Sequence, residues 1–483
     1  MQHNPTPVDL VLAPRPSGST LTQWLYSEIR RAIVEGRLRR GTALPPSRVL
    51  AEHYTISRRI VVNVFEQLQD EGYLEARVGS GTRISRHIPE DFLASVELAR
   101  TSLAARSPVF TRRPARPFYP VQPLVSEFPI DVWSRLEARS LRRLSTLDLA
   151  SADPAGEVEL RTAIADYLSG SRGFTCSPDH VVITTGTNNS LDLLARLLIR
   201  PRDRFFMEDP GYKDAAEIFE RAGAKVIPLA VDEFGVQLPT DASSRPRAVY
   251  VTPAHQFPLG VALRLDRRIE LLRWTRAADA FVLEDDYDSE FRFSGKPIPA
   301  IKGLAGAQNV FLLGTFNKAL YPTLRVGYVV APEQWVDPLL RLRRLLERYP
   351  AVLPQRTLAM FLAEGHYVRY LRRVRRLYSE RLEILRESIA ERLRGAISIP
   401  EIEAGLSIPG FLAPSIPAAQ LVASAEQYKL DLWPLTKCEL SRSDLNGLLL
   451  GFAPFSEKEL RAGVVALARA IDAIGKSPRR RAV

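Results

Sequence analysis

The sequence predicts a multidomain protein: a mainly helical amino-terminal domain closed by a β-hairpin, a tether, and a large α/β domain that carries a smaller α+β subdomain. Three observations predict it. The 483 residues exceed what one ordinary hydrophobic core organises, so two or three domains are expected. Short amphipathic helices follow one another at the start of the chain. From about residue 128 apolar strands alternate with helices, which implies a largely parallel sheet covered on both faces. The expected bounds are 1–86 for the first domain, 87–120 for the tether and 121–483 for the large domain, with the small subdomain at about 335–475.

Hydrophobic residues make up 46% of the chain and charged residues 25%, the balance of a soluble globular protein. No apolar run reaches the ~18 residues that span a bilayer, and the opening MQHNPTPVDLVLAP lacks the basic-then-apolar order of a signal peptide. A cytoplasmic protein with no membrane partner is expected. Cys176 and Cys438 lie far apart and have no Cys or His at ligand spacing, so neither a metal site nor a disulfide is expected. Net charge is +11, and residues 1–120 hold 17 arginines, no lysine and 11 acids, a net +6. That excess marks the first quarter as the nucleic-acid end.

Taking the chain in order, TLTQWLYSEIRRAIVEG (20–36) sets Leu21, Trp24, Leu25, Ile29 and Ile33 at helical spacing, with Thr20 or Thr22 as cap and Gly36 as stop. SRVLAEHY (47–54) predicts a short second helix. A third begins at Ser57, with Arg58 and Arg59 at its exposed start and Ile60, Val61, Val64, Phe65 and Leu68 as its buried stripe. A polar tip on an apolar body suits a helix whose first turn enters a major groove. YLEARVGSGTRIS then alternates apolar and polar residues around Gly79 and Gly81, which predicts a hairpin.

The stretches PPSRVLAEHYTISRR and LQDEGYLEARVGSGT resemble the winged helix-turn-helix domain of the GntR regulator superfamily. The resemblance implies that Arg48, Ser57, Arg58, Arg59 and, at the wing tip, Gly79 contact a double-stranded DNA operator. This branch of the family usually reads Ser-Arg-Asn-Thr where this chain has Ser57-Arg58-Arg59-Ile60, so no operator sequence carries over. Residues 87–120, with Pro89, Pro108, Pro114, Pro117 and Pro120, predict a semi-rigid tether holding at most a short helix at 90–104.

In the large domain the expected strands are 181–186, 204–209, 225–231, 248–253, 280–286 and 310–315. Polar groups gather at one end of several of them, the carboxyl edge where open α/β sheets bind ligands. The turn Gly186-Thr187-Asn188 opens a helix and can hold a phosphate on backbone N–H groups. Tyr212 offers a ring face for stacking. Asp285 at a strand end can pair with a protonated ring nitrogen, and Tyr287 can donate to a phenolate. Lys318 directly follows an apolar strand, where desolvation lowers an amine pKa and lets the neutral form attack an aldehyde. Thr315 and Arg325 flank it with a hydroxyl and a fixed cation. A planar ring, a protonated nitrogen, a phenolic oxygen, a phosphate and an aldehyde describe pyridoxal 5′-phosphate.

GTNNSLDLL, EDPGY, TPAHQFPLG, EDDYDSEF and GTFNKALYPTLRVGY closely resemble the fold-type-I aminotransferases, and nearly the whole chain resembles a MocR/GabR-type regulator. The resemblance implies a Schiff base on Lys318, Asp285 at the pyridine nitrogen, Tyr287 at the ring oxygen and Tyr212 stacked. It further implies phosphate contacts from Gly186, Thr187, Asn188, Thr315 and Arg325, a ring neighbour in His255 or Gln256, and a head-to-tail homodimer. Departures are Phe257-Pro258-Leu259-Gly260 for the usual Asn-Pro-Thr-Gly, Asn317 for the serine before the lysine, and Ser407 in AGLS for the histidine of AGLH. The stretch WPLTKCELSR offers Lys437 or Arg442 for an effector carboxylate. The arginine-rich helix from Arg369 to Arg381 is expected to form a surface or dimer face. The expected function is a transcriptional regulator that senses pyridoxal phosphate or an amino compound. The alternative is a working aminotransferase with an appended DNA-binding domain.

Overall fold

The computed structural model describes residues 10–77, 81–87, 113–239, 245–293, 298–402, 404–442 and 444–476. The chain divides into two units, Met1–Arg113 and Pro114–Val483. In the first, α1 (Leu21–Val34) starts at Thr20: its hydroxyl accepts from Gln23 N at 3.2 Å while the Gln23 side chain accepts from Thr20 N at 3.3 Å. This capping box decides for Thr20 over Thr22, and Gly36, at φ 73°, lies just past the helix end. α2 (Ser47–His53) and α3 (Arg58–Asp70) follow, and β1 (Leu74–Arg77) pairs antiparallel with β2 (Gly81–Ile84). Leu25, Ile29, Leu50, Val61, Val64, Leu68, Leu74 and Ile84 form one buried core. Ile60, expected in the stripe, is only half-buried, and Leu10 and Leu12 join the core from ahead of α1. Gly79 and the expected helix at 90–104 lie outside the described residues.

The second unit is built on an eight-stranded sheet of β3 (Val181–Thr184), β4 (Arg204–Asp209), β5 (Lys225–Asp232), β6 (Gly235–Val236), β7 (Ala248–Val251), β8 (Phe281–Asp286), β9 (Val310–Thr315) and β10 (Gly327–Val330). Their order is β3-β10-β9-β8-β7-β4-β5-β6. The neighbours from β9 through β8, β7 and β4 to β5 are parallel, as the alternation predicts. β10 enters antiparallel between β3 and β9, so Gly327 pairs with both Thr184 and Thr315. That register places the chain just before β10, with Arg325, at the carboxyl edge. β4, β8 and β9 are buried on both faces along nearly their whole length, which is why they read as apolar runs.

A second sheet comprises β11 (Ile397–Ser398), β12 (Ser407–Leu412), β13 (Trp433–Pro434) and β14 (Gly447–Gly451), in the order β11-β12-β14-β13 and antiparallel throughout. Two placements differ from the sequence reading. The helix Glu333–Leu346 buries Leu339 in the cluster of Val182, Leu191, Phe311 and Val329, so it covers the large sheet, although the expected boundary at about 335 assigns it to the small subdomain. Residues 114–120, read as the end of the tether, belong to the second unit: Phe118 is fully buried, bridges Gly451, and is preceded by Pro117, whose carbonyl accepts from Asp431 N at 3.1 Å. A proline-rich spacing hides one aromatic anchor. In the long helix His366–Arg392, Tyr370, Leu371, Val374 and Tyr378 are buried while Arg373 and Arg376 remain largely exposed.

Candidate cofactor pocket and DNA-facing helix

The carboxyl edge of the large sheet opens into a cavity of about 360 Å³. At one end β3 turns through Gly186 into the helix Thr187–Leu198. Gly186 has φ 125°, and a Cβ there would stand 2.5 Å from Asn317 Nδ2, so this turn requires glycine. Thr187 and Asn188 open the helix and line the cavity, where unpaired N–H groups and the helix dipole favour an anion. Thr315 and Arg325 line the same cavity. Arg325 is exposed, adopts φ 55°, and makes no ion pair among the described residues.

Asn317 ties this end together. It is buried, donates to Thr185 O at 3.2 Å and accepts from Val326 N at 3.0 Å, fixing the ends of β3 and β9 against the start of β10. Thr315 accepts from Asn317 N at 3.2 Å and so caps the short helix Phe316–Ala319 that carries Lys318. Lys318 donates from Nζ to Val121 O at 3.1 Å. Burial lowers its pKa, against the opposing pull of Asp288 and Asp285. Val121 has φ 55°, and its N–H donates to Ser407 Oγ at 2.7 Å.

Asp285 is the polar base of the cavity. One oxygen accepts from Tyr250 OH at 2.7 Å, and the other is buried without a partner. Burial pushes its pKa up to about 7. Tyr212 lines the cavity with its hydroxyl on Asn188 at 2.7 Å and Asp214 at 3.0 Å. Tyr287 also lines it, its hydroxyl 3.1 Å from His255 Nδ1. His255, expected beside the ligand ring, stands one layer back: Asp288 holds Nδ1 at 2.9 Å, and the ring lines a separate small cavity with Arg172 and Arg292. Gln256 is likewise turned away, donating to Pro210 O at 2.8 Å.

Lys437 and Arg442, expected at an acid group, do not line the cavity. The Lys437 ammonium sits 4.2 Å from the centre of the Trp433 ring, and Arg442 forms a two-point pair with Asp444 at 2.7 and 2.8 Å. The cavity instead includes residues that the sequence reading missed: Tyr119, Pro120, Val121, Tyr250, Trp433 and Leu449. Only Tyr250 carried a usable signal, since a tyrosine inside a buried strand needs a partner for its hydroxyl.

In the first unit Arg48, Ser57, Arg58 and Arg59 are all exposed. Ser57 is the cap of α3, its hydroxyl accepting from Ile60 N at 3.4 Å. Arg48 meets Glu52 at 3.4 Å and Arg58 Nε meets Ser47 Oγ at 3.4 Å, weak ties in solvent that leave both guanidinium groups available.

Fold and site together define a DNA-binding helix-turn-helix unit joined to a unit of the aminotransferase fold. Residues 21–84 match the family of bacterial regulatory proteins, gntR family, and residues 128–415 match aminotransferase class I and II. The chain is 36% identical over 464 residues to the probable rhizopine catabolism regulatory protein MocR of Rhizobium meliloti, covering 94% of each protein. It is 31% identical over 455 residues to the pyridoxine biosynthesis transcriptional regulator PdxR of Corynebacterium glutamicum, covering 94% of this chain and 96% of the relative. Among solved structures it is similar to LysN, the α-aminoadipate aminotransferase of Thermus thermophilus complexed with N-(5′-phosphopyridoxyl)-L-leucine, with a TM-score of 0.68, 26% identity, and coverage of 74% of this chain and 92% of that one. The chain belongs to the MocR-type transcriptional regulators, which fuse a GntR-family DNA-binding domain to an aminotransferase-like domain. Among the described residues no helix is long and apolar enough to cross a membrane.

Proposed function

We propose that this regulator binds operator DNA through α3 and holds pyridoxal 5′-phosphate at the carboxyl edge of its large sheet, where it senses that cofactor or a small amine. The carrying observation is the Asp285 oxygen that is buried without a partner, in one cavity with Lys318 and an anion-favouring helix start. An unpaired buried carboxylate is costly, and a protonated pyridine nitrogen is the complement it lacks. Thr187, Asn188, Thr315 and Arg325 would hold the phosphate, Tyr212 would flank the ring, and Lys318 would meet the aldehyde. When bound, the cofactor supplies an aldehyde that condenses with primary amines.

The chain's own residues supply the rest. Tyr250 orients Asp285, and Asn317 keeps the phosphate end rigid. Lys318 has one Nζ, so engaging the cofactor withdraws it from Val121 O and removes one restraint at the end of the segment 114–121, which the buried Phe118 and the Val121–Ser407 bond continue to hold. A difference in the stability of that segment with and without ligand is the kind of difference that lets a ligand shift a conformational equilibrium. The two family-level matches favour this regulatory reading over a working aminotransferase, because the DNA-binding part is covered together with the rest of the chain. We also propose a homodimer and a cytoplasmic location. Exposed Leu147 at 70%, Leu149 at 74% and Leu345 at 84% are apolar groups that a second copy could cover.

Lys318→Ala tests the reading. The variant should lose the cofactor's imine absorbance and all transcriptional response to effector, while operator binding in a gel shift stays within about twofold of wild type. A variant that still responds fully would move the sensing site elsewhere.

A further inference from the structure

We infer that the effector is a primary amine whose other polar groups are hydroxyls and not a carboxylate. The inference rests on the reading that Lys318 marks a pyridoxal phosphate site, and it concerns the opposite wall of the same cavity. Among the described residues of this chain, the charged groups lining the cavity are Asp285, Lys318 and Arg325. Arg325 stands with Thr187 and Asn188 at the anion end, and Lys318 is the reacting amine, so both cations are committed. The far wall is formed by Tyr119, Pro120 and Val121, by Trp433 of β13 and by Leu449 of β14. Trp433 and Leu449 are register partners, and Leu449 is buried.

The cations nearest that wall in sequence do not line the cavity. Lys437 stacks on Trp433 without lining the cavity, and Arg442 is closed onto Asp444. A carboxylate carried on the amine would be pressed against Leu449 and an indole, losing its water with no cation of the described lining in exchange. One main-chain acceptor there is Val121 O, which loses the Lys318 hydrogen bond once the amine is engaged elsewhere. A lone carbonyl repels a carboxylate and needs a donor. A hydroxyl supplies that donor, and it is neutral, so the apolar wall costs it far less.

The test uses a matched pair, serinol and L-serine, which differ by a hydroxymethyl group in place of the carboxylate. Full-length protein loaded with pyridoxal phosphate is titrated with each, following cofactor absorbance and operator affinity. The expected result is that serinol shifts both at concentrations at least tenfold lower than L-serine. Equal or better response to L-serine overturns the inference while leaving the cofactor reading intact. A protein with no cofactor absorbance at all overturns both. Leu449→Arg, checked for an unchanged melting transition, should reverse the preference by placing a guanidinium on the wall, and Leu449→Met should keep it. A folded Leu449→Arg protein with unaltered preference also counts against the inference.

Discussion

The first turn of α3 and the base of the large-sheet cavity both present charge to a ligand, and they do so by opposite means. Arg58 and Arg59 are exposed, weakly tied and fully hydrated, so their attraction for phosphate is long-range and sensitive to salt. Asp285 and Lys318 are desolvated, with pKa values moved toward neutrality, Asp285 upward and Lys318 downward. Buried charges of this kind act at short range and are screened much less by salt. The contrast teaches how one chain can present charge by two kinds of physics: the helix start trades specificity of charge placement for reach, while the pocket gains selectivity by making any unpaired charge costly.

The largest break in that contrast is expected from Asp285→Ala. Removing the buried carboxylate should weaken pyridoxal phosphate binding by roughly 2–5 kcal/mol, the cost of truncating one partner of a buried charge pair. Equilibrium dialysis against the free cofactor measures it, and an unchanged affinity would remove Asp285 from the site. Glu208→Gln sharpens the desolvation side. Burial raises the Glu208 carboxyl to about 7, against its hydrogen bonds from Thr252 and Gln256. The folded protein therefore keeps a proton that the unfolded chain gives up from about pH 4.5 upward. Stability from this group is present at low pH and is lost as pH rises to about 7, so the variant should gain about 3 kcal/mol over wild type between pH 4 and pH 8. Urea midpoints at the two pH values decide it, and a pH-independent difference would contradict it.

Arg58→Ala probes the solvated side. It should weaken operator binding by roughly 1–3 kcal/mol and reduce the salt slope by about one. A loss of affinity with an unchanged slope would mean that Arg58 reads a base and not a phosphate. The smallest effect belongs to Thr20→Ala, which breaks the capping box of α1 and should cost about 1 kcal/mol of stability in thermal melts without altering the pocket.

The two regions also differ in how much of them was legible in the sequence. α1 and α3 announce themselves by caps and a 3.6-residue period, and β4, β8 and β9 by unbroken apolar runs, because burial on one or both faces imposes those patterns. Lys318, Asp285 and Thr187 stand out because each ends or follows such a run, and Arg325 because it stands just ahead of one. What stayed hidden was the wall brought in from afar: Trp433 and Leu449 look like ordinary core residues of a small sheet, and Tyr119 to Val121 look like tether. Nothing local distinguishes a leucine that packs on protein from one that packs on a ligand. His255 misled for the converse reason, since a polar residue near the edge reads as a ligand contact until Asp288 is seen to hold it.

The conformation of Val121 has a further consequence. A β-branched residue at φ 55° sits in a sparsely populated region, a deformation that stores roughly 1–3 kcal/mol and persists only while its surroundings insist on it. Here two side chains insist, Ser407 on the N–H and Lys318 on the carbonyl. If a ligand engages Lys318 as proposed, one of the two restraints is lost and less holds Val121 at that φ. On the proposed reading, part of the free energy for a conformational response would be stored at Val121 when the chain folds.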